Sequence, residues 1–192
     1  MGPCYELNWG YTGIMDILSH GLWGTVYGKI ANRKLDRPVK LRWMFWWGVF
    51  PDLFAFTPMF AWSIIQAIRG LPGVIRRPLD ELEPWTPGFD TFSNVTQFLY
   101  QLSHSLIIFA IVAVVLYAVR RRAVWTIIPW MIHIIMDIPT HSYKFYATPF
   151  LWPISGWKFN GISWGQWWFE ILNYSVIAIF LLIFHVRNIK KK

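Results

Sequence analysis

Six side chains of this chain have the types and spacing to do chemistry together. Asp16 and His20 stand four apart in Asp16-Ile-Leu-Ser-His20, and His133 and Asp137 repeat that spacing in His133-Ile-Ile-Met-Asp137. On a helix, residues four apart share one face. Asp52 follows a proline in Gly48-Val-Phe-Pro-Asp52, and His104 lies in Leu102-Ser-His104-Ser. Proline frees a backbone carbonyl and can kink a helix, here where the carboxylate turns inward. Imidazole offers neutral nitrogen; carboxylate offers charge compensation and can bridge two ions. The set suits zinc or another divalent metal, as one ion or two. Two ions about 3.5–4 Å apart suit phosphoester hydrolysis, because they clamp the attacking and leaving oxygens. Water on such an ion has its pKa lowered toward about 7. Asp16 is then the candidate catalytic carboxylate. It either orients His20 or accepts a proton from the water.

These residues sit in apolar surroundings. Gln97–Val119 contains no Asp, Glu, Lys or Arg over 23 residues. A spanning helix needs about 20 predominantly apolar residues. Tyr11–Ala31, Trp43–Ile68, Ala123–Ile138 and Trp167–Val186 are less uniform but strongly apolar. The expected fold is an all-α integral membrane bundle of four to five helices forming a single domain over residues 1–192. The first segment either spans or re-enters. A carboxylate at the middle of a span costs roughly 2.5–3.5 kcal/mol on insertion scales, so such residues tend to face the bundle interior and carry function.

Composition agrees with that class. The apolar fraction is 55%, and 14 of 192 residues are Trp, whereas only 15% are charged. This excludes a disordered chain, a coiled coil and a nucleic-acid-binding tail. One cysteine excludes an intrachain disulfide framework and a cysteine-rich zinc module. The net charge of +8 therefore reads as topology. Thirteen of the 18 basic residues fall in Lys29–Arg42, Arg120–Arg122 and Arg187–Lys192. The positive-inside rule places these segments and the C-terminus in the cytoplasm. Gly70–Thr96, with four prolines, is expected to be an outer loop. Ser142–Gln166, with Trp152, Trp157 and Trp164, is expected to form an outer interfacial collar. Met1–Gly10 has no basic n-region or signal-peptide h-region, so no cleavable signal is expected.

Depth tests whether the candidates can meet. A helix advances about 1.5 Å per residue, which puts His104 roughly 10 Å from the outer end of its span. His133 lies near the outer end of its own, while Asp52 and His20 fall near the middle of theirs. They converge in the outer half of the bilayer, below the collar. Pro139 should end or bend its helix and release Thr140 and His141 at the outer mouth. His141 is open between ligand, substrate contact and interface residue. Glu170 reads as a first-turn carboxylate at a helix N-terminus, and His185 as an interfacial residue beside the basic tail. An isolated Asp/His pair four apart is commonly structural. Its occurrence with Asp52 and His104, over at least four segments, is what points to a site. No Gly-rich phosphate loop or nucleophile elbow is present. Asn173-Tyr-Ser175 matches a glycosylation sequon but lies in an apolar segment.

The ordered elements Asp16-Ile-Leu-Ser-His20-Gly, Gly48-Val-Phe-Pro-Asp52, Leu102-Ser-His104-Ser and His133-Ile-Ile-Met-Asp137-Ile-Pro-Thr140 are followed by Leu151-Trp152-Pro153. Together they resemble the bacterial inner-membrane family of membrane-bound metal-dependent hydrolases. The resemblance covers the chain from His20 to Pro153. It implies a multi-pass inner-membrane protein with metal ligands at His20, Asp52, His104, His133 and Asp137. It departs where the family has a polar turn after the last Asp and this chain has Ile138-Pro139-Thr140-His141. The His-x-x-x-Asp element is also similar to that of zinc-dependent phospholipase C enzymes. The expected function is hydrolysis of a lipid or lipid-linked phosphoester, with the membrane and a lipid-linked small molecule as partners and no nucleic acid. A metal or proton transporter using the same cluster is the main alternative, and a non-catalytic membrane scaffold is a third.

Overall fold

The computed structural model describes residues 14–69, 90–143 and 146–189. Six helices form its regular structure: α1 (Ile14–Ala31), α2 (Leu41–Ile68), α3 (Asp90–Ser103), α4 (Leu106–Arg120), α5 (Ala123–Thr140) and α6 (Trp167–Ile189). The protein is all-α. Helices α2, α5 and α6 are each long and apolar enough to cross a membrane, and α3 with α4 makes a fourth crossing if the bent pair is one span. Helix α1, with Gly, Ser or Thr at five of its 18 positions, is not among these candidates.

Glycine sets the closest helix contact. Gly21, Gly24 and Gly28 recur at helical spacing along α1 and face α2. A Cβ on Gly24 would run into the backbone carbonyl of Met44, and one on Gly28 would come within 2.7 Å of Met44 Cγ. From the other side, a Cβ on Gly48 would run into the carbonyl of His20. Small residues let helix backbones meet where lipid provides no hydrophobic drive for association. The pairings of Gly28 with Leu41 and of His20 with Gly48 make α1 antiparallel to α2. They also bring His20 to the level just below Asp52.

Helix α5 runs parallel to α2 and completes the core. The Trp47 and Trp130 rings stack at 6.1 Å, and Trp130 meets Phe109 of α4 edge-on at 5.4 Å. Trp47 thus lies level with Trp130, and the next residue, Gly48, faces His133, three residues beyond Trp130. Helix α6 packs on α1. The indole of Trp23 donates to Asn173 Oδ1 at 2.8 Å, which gives the sequon asparagine a structural partner. Arg33 lies over the Phe184 ring at 4.4 Å, so the C-terminal end of α6 stands beside the basic α1–α2 connection.

Three expectations need correction. The charge-free run Gln97–Val119 is not one helix, because it breaks at His104–Ser105 with a 55° bend between its two helices. Ser105 leaves helical geometry, and its hydroxyl caps α4 by accepting from the N–H groups of Ile107 and Ile108 at 3.1 and 3.2 Å. The outer loop ends earlier than Thr96, since α3 begins at Asp90, soon after the last proline of that stretch; residues 70–89 lie outside the described residues. Pro139 does not stop α5 at once. The helix continues to Thr140, and His141 caps it through an N–H donated to the Asp137 carbonyl at 3.0 Å.

The α1–α2 contact makes a direct prediction. Gly24→Ala should destabilise the protein by about 1–3 kcal/mol, because the new methyl meets a backbone carbonyl that cannot rotate away. Gly156→Ala, with open space around its Cβ, should leave stability unchanged. Thermal unfolding of the detergent-solubilised variants, compared side by side, checks this.

Candidate metal centre

Four ligand atoms from three helix systems meet at one point. They come from Asp52 of α2, His104 at the α3–α4 break, and His133 and Asp137 of α5, and all lie within 4.8 Å of one another. His104 Nε2 is 3.4 Å from Asp52 Oδ1 and 3.3 Å from Asp137 Oδ2. His133 Nε2 is 3.5 Å and 3.1 Å from the same two oxygens. The two Nε2 atoms are 3.1 Å apart. A tetrahedral zinc site with bonds of about 2.0–2.1 Å has ligand-to-ligand edges of about 3.3–3.4 Å. The observed spacings fall around that value. This group can hold a metal ion.

The backbone fixes which nitrogen each histidine turns inward. His133 Nδ1 lies 2.7 Å from the Gly48 carbonyl, and a carbonyl only accepts, so Nδ1 carries the proton. That leaves the Nε2 lone pair for the cluster. His104 Nδ1 sits 3.3 Å from the Tyr100 carbonyl and 2.9 Å from Ser103 Oγ, and is assigned in the same way. Two imidazole lone pairs then face each other in the company of two carboxylates. Both Asp137 oxygens and Asp52 Oδ2 are buried without an aligned hydrogen bond. A shared proton would satisfy one of these close pairs; a divalent cation satisfies all four ligands at once.

The surrounding elements hold these groups still. The Tyr100 ring stacks on His104 with centroids 3.8 Å apart, and its hydroxyl donates to the Tyr146 carbonyl at 2.7 Å. Burial pushes the Tyr146 phenol up to about 12, so it stays neutral and donates to Met59 Sδ. Trp130 Nε1 donates to the Ser103 carbonyl at 2.6 Å, tying α5 to the break. The segment 146–166 closes the break from above. The Phe150 carbonyl accepts from Leu106 N at 3.0 Å, and the Trp152 carbonyl accepts the Ser105 hydroxyl. The same segment supplies N–H groups to the end of α5: Gly161 to His141 O, Ile162 to Pro139 O and Trp164 to Thr140 O, at 2.8–2.9 Å. A Cβ on Gly161 would strike the Pro139 carbonyl. The stretch expected as an interfacial collar is therefore a strap over the site. Trp157 is exposed as expected, but Trp164 is buried and Trp152 half-buried.

The remaining candidates fall outside the four-atom cluster. His20 is buried with its Nε2 3.1 Å from Asp137 Oδ1, whereas His104 and His133 approach Oδ2. His141 is buried with its Nδ1 3.7 Å from the same oxygen. Asp16 stands in the first turn of α1, and its side chain lies outside the described residues. Glu170 occupies the first turn of α6, as expected, and does not join the cluster. His185 is exposed near the basic end of α6. Sequence reasoning missed Tyr100, Ser103, Ser105 and Gly161. A Ser-His-Ser triplet inside an otherwise apolar run was the one local signal for the break.

Comparison with family models, with curated proteins and with solved structures finds no match for this chain.

Ser103 offers a test of the positioning. Ser103→Ala removes the side-chain partner of His104 Nδ1 but no ligand. Metal affinity should fall about 10-fold, at the mild end for loss of a group that orients a metal-bound histidine. Competition with a chromogenic chelator would read this directly.

Proposed function

We propose that this protein is a metal-dependent membrane hydrolase acting on a phosphoester of a lipid or lipid-linked substrate. One observation carries the reading: the two facing Nε2 atoms of His104 and His133, 3.1 Å apart and flanked by two buried carboxylates. His104, His133, Asp52 and Asp137 would hold the metal, and the mixed nitrogen and carboxylate set favours zinc among the common divalent ions. A divalent ion held there would supply Lewis acidity and would lower the pKa of water to the neutral range. The chain's own contribution is to orient the imidazoles through backbone carbonyls, to exclude bulk water, and to keep carboxylates close enough to accept a proton. Asp16 is the candidate proton acceptor, or the partner that orients His20.

Packing at the basic end favours catalysis over transport. Val26, Met44 and Ile127 are buried on α1, α2 and α5 on that side of the cluster. Each is six to eight residues from the site residue on its own helix, roughly 9–12 Å away. An ion leaving toward that end would meet close-packed hydrocarbon. The cytoplasmic placement of this end rests on the positive-inside rule, and the bacterial inner membrane rests on the family resemblance. A site set among spanning helices is reached more easily from the membrane than from bulk water, which supports a lipid or lipid-linked substrate.

The test uses the full chain reconstituted in bilayers of mixed phospholipids. The wild type, loaded with zinc, should release phosphate or a phosphorylated headgroup, and chelation should stop it. His133→Ala and Asp137→Ala should lose both the bound metal and the release. Metal uptake into the same vesicles without any hydrolysis would support the transporter instead. A wild type free of metal after preparation in a non-chelating detergent would remove the basis of the assignment.

A further inference from the structure

The basic end of the bundle carries a dense positive surface. Lys29–Arg42 holds six basic residues against one acid, Asp36, and Arg120–Arg122 adds three more. Arg33, Lys34, Arg37, Lys40 and Arg42 are exposed. Among the described residues, no Lys or Arg at this end pairs with a carboxylate. Two hydrogen bonds close the connection between α1 and α2. Asn32 Nδ2 donates to the Val39 carbonyl at 3.0 Å, and Val39 N donates to Asn32 Oδ1 at 2.7 Å. Arg33 and Lys40 are the chain neighbours of that clamped pair. Three guanidinium groups lie over rings at this end: Arg33 over Phe184 at 4.4 Å, Arg42 over Trp43 at 5.5 Å and Arg121 over Tyr117 at 5.4 Å. Trp43 and Trp46, in the first turns of α2, are 49% and 53% exposed.

Orientation in a membrane asks only that basic residues lie near the spans. It does not ask for a clamped loop, or for guanidinium groups held over rings. A ring engages the face of a guanidinium and leaves its N–H edge, which matches the oxygens of a phosphate. We propose that the clamped α1–α2 connection, with Arg33, Lys40 and Arg42 at its centre, binds the anionic headgroup of a phospholipid in the leaflet at this end of the bundle. The phosphodiester meets donors that are already held in place, and the negative charge of the lipid offsets cations that no carboxylate of the protein neutralises. Trp43 and Trp46 then lie beside the glycerol and upper acyl region, the level at which indoles settle. Clusters of about four to eight basic residues next to a spanning helix attract anionic lipid, each cation contributing roughly fivefold. Lys40 precedes Asp52 by twelve positions along α2, roughly 18 Å. The lipid surface therefore stands or falls separately from the metal centre.

Quenching of tryptophan emission tests this on the full chain, reconstituted in phosphatidylcholine bilayers with a rising fraction of brominated phosphatidylglycerol or brominated phosphatidylcholine. The anionic lipid should quench at a roughly tenfold lower mole fraction than the neutral one. Salt at about 0.5 M should remove most of that difference. Trp43→Phe should reduce the extra quenching, which locates the lipid. Arg33→Gln combined with Arg42→Gln should bring the two lipids close to parity, whereas Arg69→Gln, exposed at the other end of α2, should leave the preference intact. Lys34→Gln combined with Arg37→Gln, on the exposed side of the connection, should also weaken the preference, and it keeps the test open if the ring-stacked arginines are needed for folding. Equal quenching by the two lipids in the wild type, or a preference that neither double variant lowers, would overturn the proposal. A preference abolished by low millimolar inorganic phosphate at constant ionic strength would overturn the lipid assignment in favour of a soluble anion.

Discussion

A carboxylate placed inside a helical membrane bundle has no water to turn to, and this constraint organises the molecule. Asp137 is fully buried, and Asp52 nearly so, and each brings a carboxylate oxygen into a group only 4.8 Å across, where a proton or a cation would offset their repulsion. The helices around them are arranged to bring imidazoles to that point. Gly48 lies close against His20 and offers its carbonyl to His133. One small residue thus sets both the approach of α1 to α2 and the orientation of a ligand on α5. A larger side chain there would separate the helices and disturb the histidine together.

The same constraint explains the break between α3 and α4. A continuous helix would have kept the backbone of residues 104–106 in its own ladder. The bend instead puts His104 at the junction and exposes amide groups that need partners. The Ser105 hydroxyl accepts from Ile107 N and Ile108 N and itself donates to the Trp152 carbonyl, while the Phe150 carbonyl accepts from Leu106 N. Irregular backbone at membrane depth is tolerated where protein buries it. The strap performs the same service for the last carbonyls of α5, which no intrahelical donor can reach. The break and the strap are therefore two halves of one solution.

Much of this was legible in the sequence, for a physical reason. A membrane chain with so few acids makes Asp52 and Asp137 conspicuous, and helical spacing puts Asp137 with His133. Asp52, His104, His133 and Asp137 do meet. The rest depended on contacts between distant segments. Nothing in the apolarity of Gln97–Val119 distinguishes a straight helix from two bent ones, because the donors and acceptors that stabilise the bend lie some 45 residues away. Pro139 was expected to end or bend α5. Near a C-terminus, however, the carbonyl it orphans lies one turn back, and the helix ends within two residues in any case. Trp164 was read as interfacial from its type alone, whereas its backbone pairing with Thr140 draws it inward.

Burial is uneven across the cluster, and the unevenness has a direction. The side chains of His104, His133 and Asp137 are 0% exposed, whereas that of Asp52 is 8% exposed. His141, near the strap, retains 5%. The basic end is filled by Val26, Met44 and Ile127. What accessibility exists therefore lies on the flank of α2 and at the end of α5, under the strap. A ligand approaching there would meet the least buried carboxylate first, and the phenyl and phenol rings of Phe56, Tyr100 and Tyr146 stand close by. Those three rings pack on one another at 5.1–5.8 Å, so the flank beside Asp52 is filled by aromatic side chains that tie α2, α3 and the strap together.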